Sequence, residues 1–438
     1  GKFAFAVVLI GYFAIFTDFG LGTLLTREVA KNRSQANRYL SNTIMLRLLL
    51  CLSSVPLLLG VIGLYVWQFG LADDTVFTIL LFAVGLVPSA VGGGLTAVFN
   101  AYERMEYPAV VATITSLLRV SIGVMLLLLG LGIVGLGVAS LVASTVSAVI
   151  LYLLIARTTF SPRVETDLSF QKNMLGTSAP LMVNNFLSSI FFRVDMMLLQ
   201  PMRGDRAVGY YSTAYKFIDG LNIIPAFFTL AIFPVISRYA ETARDVLLHA
   251  YTRALKAMLI ISLPITVGTT IIADKLIVLC FGEEFAPAIV ALQILIWFLP
   301  LSYINSVTQY ALIAVNQQRF LTLAFVIGAG FNIVANLLVI PGYGYQGAAV
   351  VTIISEMILM VPFMYAIRRH VGHVPLWQLA LRPAAAAAIM GLILLWLHSL
   401  NLFVMIALGF PTYVVALVLL RTFDDEDIAL FRALTKRG

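Results

Sequence analysis

The sequence predicts an all-α protein that crosses a membrane many times. Of its 438 residues, 61% are hydrophobic and only 11% are charged, whereas a soluble domain carries about 25% charged residues. Apolar stretches of about 20 residues, the length needed to cross a hydrocarbon core of about 30 Å, recur from one end of the chain to the other. This composition excludes a soluble domain and leaves little chain for large loops.

The pattern of apolar runs predicts about thirteen helices in sequence order. Glycine and proline separate some of them, as in the Pro-Gly-Tyr-Gly turn at 341–344. The approximate limits are 3–25, 39–68, 75–101, 107–130, 133–157, 170–201, 207–237, 246–279, 286–314, 319–340, 346–369, 376–399 and 402–421.

The basic residues lie mainly in alternate loops between these helices. Twenty of the 28 lysines and arginines fall in one set of loops and in the tail that begins at Arg421. The opposite loops hold only three, together with several acids. The positive-inside rule therefore predicts that the C-terminus is cytoplasmic and that the chain enters the membrane at Gly1 from outside. Because loop position explains the basic charge, we expect no nucleic-acid partner.

Weak internal similarity at an offset of about 208–215 residues predicts two parallel repeats. We therefore expect an N-terminal lobe at 1–160, a C-terminal lobe at 161–372, and two further helices with a cytoplasmic tail at 373–438. Helix 170–201 precedes the repeated segment of the second lobe and has no counterpart before Gly1. We therefore expect the first lobe to lack its first helix and the full protein to have about fourteen.

Four cationic side chains lie within the predicted membrane helices. A charge near the middle of a membrane helix costs about 2.5–3.5 kcal/mol on insertion scales, so such residues usually face a wet cavity or a partner. Four cations favour an anionic cargo such as a pyrophosphate, which a guanidinium binds through two hydrogen bonds. The candidate substrate-binding residues are Arg119, Arg193, Arg47 and Lys216.

Each cation also has a structural interpretation. Arg119, which shares a helix with Thr115 and Ser116, could form an internal salt bridge. Lys216 could pair with Asp219 at an i, i+3 spacing. Arg47 lies near the cytoplasmic end of its helix and could extend to the lipid headgroups.

A second polar cluster favours a cation. Asn332 and Asn336 share one helix face, and Thr352 follows on the next helix with Glu356 one turn further. Amide, hydroxyl and carboxylate oxygens are ligands for hard cations, although polar residues also join membrane helices by hydrogen bonds. Proton coupling through Asp18, Asp219 or Glu356 is an alternative.

Several short motifs resemble those of a known family. They are Asp18-Phe-Gly-Leu-Gly22 with Arg27-Glu28, Arg193-Val-Asp195, the segment 208–214, Phe233-Pro234 and Phe281-Gly-Glu-Glu-Phe285. In this order they resemble the polysaccharide flippases of the multidrug/oligosaccharidyl-lipid/polysaccharide exporter superfamily. The final helix pair resembles its fourteen-helix branch, which includes the lipid II flippases.

The resemblance implies two six-helix lobes around a central cavity, alternating access, and export of polyprenyl-linked sugars across a prokaryotic plasma membrane. It also implies a sodium site formed by Asp195, Asn332, Asn336 and Thr352, although the branch has a carboxylate at the position of Asn336. The candidate ion-coupling acids are then Asp18, Asp195, Asp219 and Glu356.

The sequence as a whole favours a flippase over an enzyme. We expect a polyprenyl-linked glycan and membrane lipids as partners, a functional monomer, and no cofactor other than sodium or a proton as coupling ion. One alternative is a multidrug/cation antiporter of the same superfamily, whose cationic substrates would be repelled by a basic cavity. A membrane glycosyltransferase or polymerase is a further alternative, but the outer loops are short and contain no catalytic constellation.

Overall fold

The computed structural model describes residues 1–240 and 244–423, apart from the side chains of residues 230, 234, 235 and 240. The predicted cytoplasmic tail after residue 423 and the side chain of Pro234 therefore lie outside the described residues. Within these ranges all regular elements are helices, which confirms the predicted all-α class. They are α1 (Lys2–Asp18), α2 (Leu21–Lys31), α3 (Ala36–Phe69), α4 (Asp73–Ala101), α5 (Glu106–Leu128), α6 (Gly132–Thr158), α7 (Leu168–Leu221), α8 (Ile223–Ala240), α9 (Arg244–Phe281), α10 (Ala288–Leu295), α11 (Phe298–Ala314), α12 (Gln318–His370), α13 (Leu376–Trp396) and α14 (Leu402–Leu419), with short 3-10 turns at Arg33–Gln35 and Glu283–Phe285.

Ten of the thirteen predicted membrane helices correspond to a single helical stretch with similar limits. Among the described residues, ten such stretches are long and apolar enough to cross a membrane, or eleven if the bent pair α10–α11 counts as one. Two of the long stretches, α7 and α12, are interrupted by non-helical backbone at Gly204 and Gly344. The interruptions fall where the sequence predicts separate helices, so the chain is a multi-pass membrane protein.

Three helices that were predicted to be continuous are broken instead. The predicted helix 3–25 is divided at Phe19 and Gly20, both of which have positive φ. The carboxylate of Asp18 accepts a hydrogen bond from the Gly20 backbone N–H at 3.1 Å and so stabilises this turn. The predicted helices 207–237 and 286–314 are divided at Asn222 and at 296–297.

Proline explains the two breaks in the second half of the chain. Proline has no N–H, so it leaves the carbonyl four residues earlier without its helical donor. Pro225 frees the Leu221 carbonyl, which accepts a hydrogen bond from the Tyr303 hydroxyl at 2.7 Å. Pro300 frees the Ile296 carbonyl, which accepts one from Thr266 at 3.3 Å. Neighbouring helices therefore stabilise both breaks.

The described chain divides into two compact units, one up to Val208 and one from Gly209 onward. In the first unit α4 packs against α1, α2, α3 and α6, and α6 also packs against α5. Small residues allow close approach of α4 and α6, as where the Cα of Gly92 faces Ala148. The core of this unit includes Leu25, Leu40, Leu95 and Phe99.

In the second unit α11 packs against α9 and α12, and α13 packs against α9 and α14. A separate hydrophobic core joins α9, α13 and α14 and includes Ile272, Met390, Met405 and Tyr413. The final two helices are therefore attached to α9 by apolar packing. Because lipid tails are apolar, the many exposed leucine, valine and tryptophan side chains of both units are suited to a membrane.

Candidate functional site

Arg47 lies in the interior of the first unit. The residue is only 3% exposed. It forms an ion pair with the Asp18 carboxylate and donates a hydrogen bond to the Ala90 carbonyl at 3.1 Å. Arg47 therefore does not extend to the lipid headgroups. The position of Asp18 at the α1–α2 break brings the carboxylate and the guanidinium together.

Two glycines leave room for the Arg47 guanidinium. A Cβ at Gly93 would lie 2.7 Å from one terminal nitrogen of Arg47, and a Cβ at Gly22 would lie 2.8 Å from the other. Contacts below 3.0 Å require neighbouring atoms to move. The space around Arg47 is therefore shaped by glycines on α2 and α4 as well as by Asp18.

Arg119 lies at the middle of α5 and is exposed. It is about 20 Å along the helix from Glu106, at 1.5 Å per residue. No side-chain hydrogen bond or ion pair joins Arg119 to any described residue. The internal salt bridge considered from the sequence is therefore not formed within the described chain. Ser116 is also exposed, but Thr115 is buried and bonds to the Val111 carbonyl of its own helix.

Arg193 and Asp195 lie on the part of α7 that belongs to the first unit. Asp195 is buried and accepts a hydrogen bond from the adjoining Met196 backbone N–H at 2.7 Å. Arg193 is half-buried. Both interact electrostatically with Tyr12, whose hydroxyl donates a hydrogen bond of 3.5 Å to the Ser189 carbonyl. Tyr12 was not identified from the sequence as a neighbour of either residue.

Lys216 and Asp219 are both exposed on the second part of α7. The Lys216 ammonium lies 5.3 Å from the centroid of the Phe281 ring, in a cation–π contact. Among the described residues it forms no ion pair with Asp219. The suggested i, i+3 pair is therefore not formed, because the lysine side chain lies against the aromatic ring instead.

The asparagine cluster predicted to bind a cation is buried within the second unit. Asn336 donates hydrogen bonds to the backbone and side-chain oxygens of Asn332 at 2.9 and 2.8 Å. Asn332 donates to the Ser355 hydroxyl at 3.0 Å. The Thr352 hydroxyl lies 3.0 Å from the Tyr211 hydroxyl. The side-chain oxygen of Asn336 is buried without a hydrogen-bond partner in the described chain.

Glu356 lies on the same half of α12 and contacts α11. It is 1% exposed, and its Oε1 accepts a hydrogen bond of 3.2 Å from the side-chain amide of Asn305. Asn305 was missed in the sequence analysis. The available signal was an amide within the largely apolar helix α11, where a buried polar group requires a partner.

A groove of about 700 Å³ runs between α9 and the helix pair α13–α14. Its lining is almost entirely apolar and includes Ile265, Met390, Phe410 and Val414, whereas Thr269 and Tyr413 supply the polar atoms. The hydroxyl of Tyr413 donates to the Ile260 carbonyl at 2.8 Å. The groove is therefore suited to a hydrocarbon chain and has little capacity to bind a charged group.

The membrane-length helices of the described chain and the charges within them define a class, a polytopic helical membrane protein. The family described as "Polysaccharide biosynthesis protein" matches residues 1–240, and the family described as MatE matches residues 180–338. The chain belongs to the polysaccharide biosynthesis protein family. The predicted membership of the multidrug/oligosaccharidyl-lipid/polysaccharide superfamily is thereby confirmed.

The chain is also similar to individual proteins. It is 22% identical over 371 residues to the "Probable low-salt glycan biosynthesis flippase Agl15" of Haloferax volcanii, a match that covers 81% of this chain and 73% of that protein. It is 22% identical to the "Putative O-antigen transporter" of Shigella dysenteriae, with coverage of 84% and 90%. Among solved structures, the inward closed conformation of the lipid II flippase MurJ superposes with a TM-score of 0.80 at 17% identity, covering 96% and 92% of the two chains. The structural match shows that the fold is shared.

Proposed function

We propose that this protein translocates a polyprenyl-(pyro)phosphate-linked oligosaccharide from the cytoplasmic to the outer leaflet by alternating access, driven by an ion or by the membrane potential. Family membership and the names of two relatives, a glycan biosynthesis flippase and an O-antigen transporter, support this proposal. The observation that carries it is Arg119, an exposed guanidinium at the middle of a membrane-spanning helix.

Arg119 is suited to an anionic group that is not part of the described chain. An arginine in this position costs several kcal/mol in a membrane unless water or an anion compensates its charge. A (pyro)phosphate satisfies a guanidinium through two parallel charge-assisted hydrogen bonds. In this proposal Arg193, Arg47 and Lys216 assist Arg119, with Arg47 acting through the Asp18 pair.

The apolar groove along α9, α13 and α14 supports a lipid-linked cargo. A polyprenyl chain can exchange from lipid into such a groove and pack there by van der Waals contacts, because the almost entirely apolar lining presents few polar groups to it. In the proposal the phosphate and sugars bind at the cationic side chains while the hydrocarbon tail stays in the groove or in lipid. The protein then moves its cargo without a chemical reaction.

The same proposal includes an ion that drives the cycle. Asp18, Asp195, Asp219 and Glu356 are the candidate coupling acids. Asn332, Asn336 and Thr352, with Asp195, are the proposed sodium ligands, and the buried Asn336 oxygen without a partner supports a cation on that helix. We place the protein as a monomer in a prokaryotic plasma membrane, with its C-terminus in the cytoplasm.

The test is flipping of a labelled polyprenyl diphosphate glycan in proteoliposomes. Because the guanidinium contacts the phosphate in this proposal, Arg119→Ala should lower the flipping rate at least 100-fold, and Arg119→Lys should restore part of it. Arg157→Ala is the matched control, since Arg157 is an exposed arginine at the end of α6 in the same unit. Equal flipping by wild type and Arg119→Ala would refute the assignment.

Multidrug extrusion is the second candidate, favoured by the MatE match over residues 180–338. In that case the purified protein should transport amphipathic cations, and Arg119→Ala should leave their transport intact or raise it by removing a like charge. The two functions are separated by measuring both substrates in the same proteoliposomes.

A further inference from the structure

Asn305 and Glu356 form a buried acid–amide pair in the second unit. Asn305 on α11 is fully buried and Glu356 on α12 is 1% exposed. The Asn305 amide nitrogen donates to the Glu356 backbone carbonyl at 3.1 Å and to its carboxyl Oε1 at 3.2 Å. Both bonds start from the same amide nitrogen, so they join Asn305 to the backbone and to the side chain of Glu356.

One oxygen on each of the two groups has no hydrogen-bond partner among the residues that the structure describes. They are Asn305 Oδ1 and Glu356 Oε2, and both atoms are inaccessible to solvent. Such orphaned oxygens are rare in native interiors and cost about 1–3 kcal/mol each. The two orphans belong to side chains already joined by a hydrogen bond. A proton on Oε2 would turn that oxygen into a donor, and Asn305 Oδ1 is the orphaned acceptor on the side chain bonded to it.

The surroundings favour a proton over a metal ion. The Asn305 amide nitrogen already occupies Glu356 Oε1, which leaves one free oxygen on each side chain. A hard metal cation usually takes six or more oxygen ligands, whereas a proton needs only a donor and an acceptor. An ionised carboxylate in this place would lack a cationic partner, because no basic side chain of the described residues forms an ion pair with Glu356, whose carboxyl group is hydrogen-bonded to the Asn305 amide.

The titratable groups on the neighbouring elements are engaged elsewhere. The hydroxyl of Tyr211 on α7 bonds to Thr352, that of Tyr251 on α9 to Thr308, and that of Tyr303 on α11 to the Leu221 carbonyl. Helix α10, which also packs against α12, carries no titratable side chain. Glu356 is therefore the group within this cluster that can take up and release a proton.

We propose that Asn305 and Glu356 together form a proton-binding site, in which Glu356 Oε2 holds the proton and shares it with Asn305 Oδ1. This step rests on the transport function proposed above. In that function, release of this proton couples the proton gradient to movement of the cargo. Proton loss would leave two buried acceptor oxygens without a donor and so disrupt the contact between α11 and α12.

The protonation state of Glu356 is measured directly by infrared difference spectroscopy of the purified protein at neutral pH. The difference spectrum of wild type minus Glu356→Gln should show a carboxylic acid C=O band. Glutamine keeps the shape of the side chain and both hydrogen bonds but has no carboxylic acid group. Asn305→Leu should retain the acid band and shift it to higher frequency, since the carbonyl loses its amide donor. A difference spectrum that contains carboxylate bands and no acid band would overturn the site.

Coupling is tested separately in proteoliposomes that contain the labelled polyprenyl diphosphate glycan. If the site drives transport, an imposed proton gradient should accelerate flipping by wild type and leave Glu356→Gln unaffected. If the acid band is present but the Glu356→Gln variant still responds to the proton gradient, Glu356 binds a proton without coupling it to transport. That result would retain the proton site and refute its coupling role. Absence of glycan flipping in every protein would refute the proposed function while leaving the spectroscopic result intact.

Discussion

Arg47 and Arg119 are two arginines of the same unit in opposite environments. Arg47 is buried, ion-paired with Asp18 and surrounded by glycines on two helices. Arg119 is exposed at the middle of α5 and has no partner among the described residues. The fold thus compensates one intramembrane charge internally and leaves the other available. The difference separates a cation that maintains the unit from one that is free to bind a ligand.

The largest expected effect on stability is that of Arg47→Ala. Removal of one partner from a buried ion pair costs about 3–5 kcal/mol, and we expect the lower end because the Asp18 side chain is 40% exposed. The measurement is the free energy of unfolding in mixed micelles. Arg47→Met keeps most of the volume and removes the charge, so it separates packing from electrostatics. A fully stable Arg47→Ala protein that no longer flips glycan would instead assign Arg47 to the substrate.

A smaller effect is expected for Gly93→Ala. The new Cβ would lie 2.7 Å from the Arg47 guanidinium, and overpacking of this kind costs about 1–3 kcal/mol. Gly11→Ala is the control, because a Cβ at Gly11 meets no atom within 4 Å. We expect the control to be neutral or stabilising, since alanine favours a helix over glycine. If both variants were equally stable, the shape of the Arg47 site would not depend on Gly93.

The smallest effect on stability is expected for Arg119→Ala. An exposed side chain without a partner contributes little, so its replacement should change the free energy of unfolding by no more than about 0.5 kcal/mol. The same unfolding measurement that detects Arg47→Ala provides this comparison. A loss of several kcal/mol would reveal a structural role for Arg119 and remove the contrast between the two arginines.

Much of the fold was predictable because a membrane imposes a simple constraint on sequence. A helix must present about 20 apolar residues to the hydrocarbon, so ten of the thirteen predicted helices match single observed helical stretches closely. The breaks at 19–20, 222 and 296–297 were missed. Pro225 and Pro300 were visible in the sequence, but whether a proline kinks a membrane helix or ends it depends on a neighbour such as Tyr303 or Thr266.

The candidate site was predictable only in part. The sequence identified the charged and amide residues within the helices, because polar groups in apolar runs are conspicuous. It did not indicate that Asp18 neutralises Arg47 or that Asn305 binds Glu356. These pairs join residues 29 and 51 positions apart. Partner choice of this kind depends on which helix faces meet.

The sequence by itself determined the class of protein, the order and limits of its helices and the residues whose burial is costly. The length of an apolar run and the free-energy cost of a charge in lipid are local properties, so each can be evaluated from one stretch of chain. Only the tertiary structure decided which polar groups are compensated, as in Arg47, and which retain unsatisfied atoms, as in Glu356. Hydrogen bonds and ion pairs act over about 3 Å, so they depend on contacts between helices that no single stretch encodes.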